Sequence, residues 1–142
     1  MINPKNFVYS KAAIARMRGV ALAMVERVEI WWNCIFVIVK GCRPKFYSKD
    51  SFRNHFVDWR KAQSEEIDIF ETEGNKYTAI NERKHSIYTV EALQDGIRCG
   101  CDDYQNQIKF LKKGCCKHGY ALLNYLGFDR LSDYIEHHRW CS

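Results

Sequence analysis

The chain has 142 residues, 46% hydrophobic and 27% charged, a composition that folds into one compact domain or two small units instead of staying disordered. It contains no Gly-x-x-x-x-Gly-Lys-Ser/Thr, Gly-x-Gly-x-x-Gly or Gly-x-Ser-x-Gly motif, which with its length excludes a P-loop NTPase, a full Rossmann enzyme and a TIM barrel. The net charge of +5 is uneven: residues 1–62 hold twelve Lys/Arg against four Asp/Glu, residues 63–75 hold five acids and no base, and residues 76–142 hold ten against eight.

The start, Met1 to Ser10, is polar with Pro4 and Lys5 and does not read as a secretion signal. Ser10 is a suitable N-cap for a helix over roughly 11–26, with Ile14, Met17, Ala21, Met24 and Val25 at helical spacing. From Ile30 to Val39 the residues are β-branched and aromatic, which predicts one buried strand with Cys34 as a small apolar filler. The run is also about half the ~20 residues that a membrane helix needs, so no membrane span is expected. Gly41-Cys42-Arg43-Pro44 predicts a turn and Lys45-Phe46-Tyr47 a short return strand. Ser48 then caps a helix to about Ala62, with Phe52, Phe56 and Trp59 on its core face. Residues 1–62 therefore read as a basic α-β-β-α unit.

The acidic segment 63–75 reads as a linker or an edge strand, with Ile67-Asp68-Ile69-Phe70 as its apolar part. Residues 76–142 form the last region. Strands are predicted at Tyr77 to Ile80 and Ser86 to Leu93, then an Asp95-Gly96 type I′ turn and a partner strand from Ile97 to Cys101. Ala121, Leu122, Tyr125 and Leu126 share a helical face closed by Gly127, and Leu131, Tyr134 and Ile135 mark a short C-terminal helix. The expected class is α+β.

Seven cysteines, at 34, 42, 99, 101, 115, 116 and 141, are an odd number. Without a secretion signal, such a set predicts metal binding in a reducing compartment rather than a disulfide framework. The expected location is the cytoplasm, or the nucleus of a eukaryotic cell, and not outside the cell. The strongest pattern is Cys99-Gly100-Cys101, fourteen residues, then Cys116-Lys117-His118. Zinc takes three thiolates and an imidazole as a closed tetrahedron when its role is structural. Two ligands on a strand and two at a helix start meet that geometry, with Gly100 as the small spacer. Cys115 adjoins Cys116 as an alternative ligand, but only Cys116 keeps the Cys-x-His spacing. His137 and His138 diverge on a helix and do not suit a second site.

The segment from about Tyr77 to Phe128 resembles a SWIM zinc finger, Cys-x-Cys-x(n)-Cys-x-His. The matching residues are Cys99, Cys101, Cys116 and His118, flanked by Ile87-Tyr88-Thr89-Val90 and by Gly119-Tyr120-Ala121-Leu122-Leu123. Many members carry Pro after the second Cys, where this chain has Asp102-Asp103. The resemblance implies a ββα fold, a structural zinc ion and a binding function. Members occur in helicase-like ATPases, transposases, ubiquitin ligases and recombination mediators, where the finger is proposed to bind DNA or protein.

Four strong protein donors leave a zinc ion no open position, and the His-Glu-x-x-His and deaminase patterns are absent, so no enzyme is expected. The expected function is binding of nucleic acid, DNA in preference to RNA, by an accessory factor in DNA transactions. Two basic groups would track the phosphates along one groove: Lys109, Lys112, Lys113 and Lys117 around the ligands, and Arg43, Lys45, Lys49, Arg53, Arg60 and Lys61 in the first unit. The alternative is a protein-interaction adaptor in which segment 63–75 docks a basic partner.

Overall fold

A computed structural model describes residues 3–141; Met1, Ile2 and Ser142 lie outside it, as do the side chains of Pro4, Lys5 and Cys141. The fold is mixed α+β with two antiparallel sheets. The chain divides between Trp59 and Arg60 into two compact units. No helix among the described residues is long and apolar enough to cross a membrane.

The first unit opens with α1 (Pro4–Val8) and α2 (Lys11–Arg18). Ser10 caps α2 by accepting a hydrogen bond from the Ala13 N–H. The helix predicted to reach residue 26 ends instead at Gly19, whose φ of 68° is left-handed and whose N–H bonds to the Ala15 carbonyl. That terminator stops propagation whatever the spacing beyond it. A 3₁₀ turn (Leu22–Met24) follows, and then β1 (Val25–Ile30), β2 (Ile35–Val39) and β3 (Lys45–Tyr47) form one sheet in that order. The single predicted strand over 30–39 is thus a hairpin. Trp31-Trp32-Asn33-Cys34 is its turn, closed by the Trp31 N–H on the Cys34 carbonyl at 2.9 Å. Cys34 is half-buried there, not a filler within a strand. The α-β-β-α reading is therefore corrected to α-α-β-β-β-α, the last helix being α3 (Lys49–Ser64). Ala13, Ile14 and Ala15 of α2, Val25, Ile35, Val37 and Val39 of the sheet and Phe52 of α3 make the core.

The second unit takes the last turn of α3 and then β4 (Asp68–Glu71), β5 (Lys76–Asn81), β6 (Ser86–Leu93) and β7 (Gly96–Cys99), an antiparallel meander. The apolar part of the acidic segment is the edge strand of this sheet. Leu93 pairs with Gly96, so Gln94 and Asp95 make the β6–β7 turn. Neither has a positive φ, so the predicted type I′ turn at Asp95-Gly96 does not form.

Residues 102–115, the fourteen between the two ligand pairs to which the sequence patterns assign no element, hold α4 (Asp102–Leu111). The overlooked signals were Cys101 as N-cap, two acids in the first turn, and Tyr104, Ile108 and Leu111 at helical spacing. Then come α5 (Lys117–Leu126), ended by Gly127, and α6 (Leu131–Cys141). The two strands and the helix expected to carry the ligands are β6, β7 and α5, with α4 between them, inside a four-stranded meander followed by three helices. Ala79, Val90 and Ile97 from the sheet pack with Ala121, Leu122 and Leu123 of α5 and Tyr134 of α6.

Candidate metal centre

Three elements meet at one point in the second unit. β7 ends on Cys99, Cys101 is the N-cap of α4, Cys116 is the N-cap of α5, and His118 lies in the first turn of α5. The two cap sulfurs do what a cap oxygen does elsewhere. Cys101 Sγ accepts from the Tyr104 N–H and Cys116 Sγ from the Gly119 N–H, both at 3.4 Å. Each sulfur thus sits at the positive end of a helix dipole, which favours thiolate over thiol.

The four side chains are buried, none more than 5% exposed, and their ligand atoms all lie within 4.8 Å of one another. His118 Nδ1 is 3.7 Å from Cys99 Sγ and 3.8 Å from Cys116 Sγ. A tetrahedral zinc ion with Zn–S of about 2.3 Å and Zn–N of about 2.0 Å would hold sulfur and nitrogen about 3.5 Å apart. The donor set fits a metal ion in both chemistry and spacing. The ligating atom of His118 would be Nδ1. Its Nε2 is buried without a hydrogen-bond partner, and the Tyr88 ring lies against the imidazole with centroids 4.6 Å apart.

Burying three sulfurs together also distributes their protons unequally. The Cys99 thiol is pushed up to about 11, chiefly by its hydrogen bond with Cys101. Cys116 is likewise pushed up, by hydrogen bonds with Cys101 and Cys99 and by burial. Cys101 is pulled well below the ordinary thiol range, because Cys116 and then Cys99 donate to it.

Cys115 is buried too, but stands outside the cluster. Its thiol lies 3.8 Å from the Cys116 carbonyl, and burial pushes its pKa up. A Cβ on Gly119 would meet its sulfur at 2.8 Å, which accounts for glycine in the first turn of α5. Among the described residues Cys99, Cys101, Cys116 and His118 are the one cluster of this kind. His137 and His138 instead pack against Phe128 and Tyr134.

The turn that presents Cys116 is fastened by Gln107 and Gly114, which the sequence patterns do not single out, and behind them by Asp103 and Arg60. Gln107 of α4, 2% exposed, accepts from the Cys115 N–H at 2.9 Å and donates to the Cys115 carbonyl at 3.1 Å and to Asp103 at 3.0 Å. Asp103 in turn receives two hydrogen bonds from the Arg60 guanidinium, at 2.9 and 2.7 Å. Gly114 completes the turn: a Cβ there would meet Gln107 Cβ at 2.4 Å. A lone Gln or Gly in a sequence has no pattern; these roles exist only once α4 forms.

The basic residues are placed differently from one another. Lys109, Lys112 and Lys113 are exposed at the end of α4 and just after it. Lys117 is half-buried, and its ammonium pKa is lowered by burial and by the neighbouring Lys84, a cation brought there by the β5–β6 turn and not foreseen. Arg60 is buried against Asp103, and Lys61 reaches Asp129 at 3.4 Å and the Tyr120 ring at 5.8 Å. Both belong to the second unit, so the grouping of Arg60 and Lys61 with the first unit is corrected. In the first unit, Arg43 and Lys45 are exposed, Lys49 donates to the Trp32 carbonyl at 3.1 Å, and Arg53 pairs with Asp50. The chain matches no known family model, no curated protein and no solved structure.

Proposed function

We propose that this chain is a zinc-stabilised binding module of the SWIM type, without catalysis, that engages nucleic acid as an accessory factor in DNA transactions. The observation that carries the reading is the buried Cys₃His cluster in which two sulfurs cap helices and all four donors come from protein. Catalytic zinc keeps a position open for water, whereas a closed donor set serves folding. Three thiolates and a divalent ion sum to about −1, so attraction for phosphate comes from basic side chains. Lys109, Lys112, Lys113 and Lys117 near the ligands and Arg43, Lys45, Lys49 and Arg53 in the first unit are suited to phosphate contact, DNA being favoured. Arg60 and Lys61 serve ion pairs within the second unit.

The zinc half of the reading is tested by metal analysis of the purified protein. One zinc per chain is expected, with Cys116→Ser losing it; a metal-free protein with the same stability would refute this half. For the nucleic-acid half, binding to labelled DNA and RNA should fall steeply with salt, and Lys112→Glu with Lys113→Glu should weaken it and flatten the salt slope. The adaptor reading has one observation in its favour. Among the described residues β4 has a strand on one side only, and it carries Phe70, 54% exposed, beside Glu71, a geometry that accepts an added strand from a basic partner.

A further inference from the structure

An antiparallel sheet with one face on the core ordinarily turns polar residues to water on the other. The first unit departs from this rule. Ile35, Val37 and Val39 of β2 point into the core, so Phe36, between them, points outward, and it pairs across β3 with Phe46 and across β1 with Glu29. Trp31, from the hairpin turn, stacks on Phe36 with centroids 5.1 Å apart and planes 14° apart, and meets Phe46 edge-on at 5.1 Å. Phe36 and Phe46 are themselves 5.4 Å apart. The three rings make one patch held by their mutual contacts and by the Trp31 indole N–H on Glu29 at 3.4 Å. Trp31 is 43% exposed, Phe46 53%, and the adjoining Trp32 93%. Contiguous exposed rings of this kind mark an interaction surface rather than scattered apolar residues.

The charge around the patch selects the occupant. Up to Trp59 the chain holds ten Lys/Arg and four Asp/Glu, a net +6; from Arg60 onward it holds twelve and thirteen, a net −1. The positive field thus belongs to the unit with the aromatic face, not to the unit with the ligands. Lys49 reaches the Trp32 carbonyl at one end of the sheet, and Arg43 lies in the β2–β3 turn at the other, while Lys45, paired with Val37, turns to the opposite face from Phe46. A second copy of the chain would bring +6 against +6. Flat π-faces with cations at both ends suit unpaired bases joined by phosphates, which stack on aromatic rings without regard to sequence. A duplex keeps its bases stacked on one another and offers the rings nothing.

We propose that the outer face of β1–β2–β3 is a stacking platform for single-stranded nucleic acid, with Trp31, Trp32 and Phe46 taking bases and Arg43 and Lys49 taking phosphates. This rests on the nucleic-acid reading above and moves its principal contact to the unit that lacks the metal ligands. The test is fluorescence anisotropy on the full zinc-loaded chain with labelled oligothymidylate, oligouridylate and a duplex of equal length. Single strands should bind at least about tenfold tighter than duplex, and Trp32→Ala or Phe46→Ala should each weaken single-strand binding about tenfold. Phe46→Tyr should restore it. Trp32 is almost wholly exposed, so its removal leaves the fold intact and keeps the test valid if Trp31→Ala does not fold. Equal affinity for duplex and single strand, unmoved by Trp32→Ala and Phe46→Ala, would overturn the platform while leaving nucleic-acid binding standing. Absence of binding to all three probes at low salt would overturn both. Self-association abolished by Phe46→Ala would also overturn the platform, assigning the face to a second copy of the chain.

Discussion

Gln107 and Gly114 show how much of the centre depends on side chains that never touch its ligand atoms. Gln107 serves both backbone groups of Cys115, and Gly114 leaves room for it. Replacing Gln107 with Ala leaves a buried N–H and a buried carbonyl without that partner, which costs about 1–3 kcal/mol for each unsatisfied group. Gly114→Ala would press a methyl group into Gln107, and overpacking of this kind costs about 1–3 kcal/mol. Each variant should lower the melting temperature by several degrees and should release zinc to a chelator faster than the parent chain. A Gln107→Ala variant with parental melting and parental zinc release would count against the role given to this side chain. The four candidate ligands were legible in the sequence because their spacing is local and their residue types are rare. The fastening groups were not, because their roles depend on a helix between the two ligand pairs, and only afterwards does the significance of Asp103 and Gln107 emerge.

The elements join the centre through their ends: a strand terminus and two helix N-termini converge on one point. Such an arrangement makes metal uptake dependent on pH with a definite sign. Cys99 and Cys116 have raised thiol pKa values, so in the metal-free chain they stay protonated through the neutral range, whereas Cys101 is already a thiolate. A metal ion must expel those two protons, so its affinity rises with pH; log affinity should climb by about two per pH unit between about pH 7 and 9. Competition with a chromophoric chelator across that range measures the slope, and a flat profile would contradict the proton distribution. At this scale the sequence was legible where turns and caps carry their own chemistry, as at Ser10, Gly127 and β3. It misled at 30–39, where two strands and a tryptophan turn share one apolar composition, and at 20–26, where helical spacing continued past a glycine that had already ended the helix. The aromatic face was hidden by the first of these errors, since a single buried strand has no outside.

At the scale of the whole molecule the two units have separate means of cohesion. The first has an apolar core built on Phe52 and the sheet, with none of the four ligands; the second closes its core with the Cys₃His cluster. Zinc bound at such a site can contribute on the order of 10 kcal/mol to folding. Chelation, Cys99→Ser or His118→Ala should therefore abolish amide protection over residues 86–128, while β1, β2 and α2 retain theirs. Uniform loss across the chain in hydrogen exchange would show instead that the units fold as one. Charge asymmetry was visible in the sequence from the start, but its meaning was not, because the acidic stretch proved to be an edge strand and two of the cations placed in the first group belong to the second unit.

The division between the units falls inside α3, between Trp59 and Arg60, and not in a connector outside a regular element. Dissection of the chain by length or composition would cut near residue 62 and discard the guanidinium that Asp103 holds. A fragment begun there would keep every ligand and yet lack the outermost anchor of the turn that presents Cys116. A fragment begun a turn earlier would retain it. Weak metal retention by the shorter piece would then report where the scissors fell, not what the ligands can do.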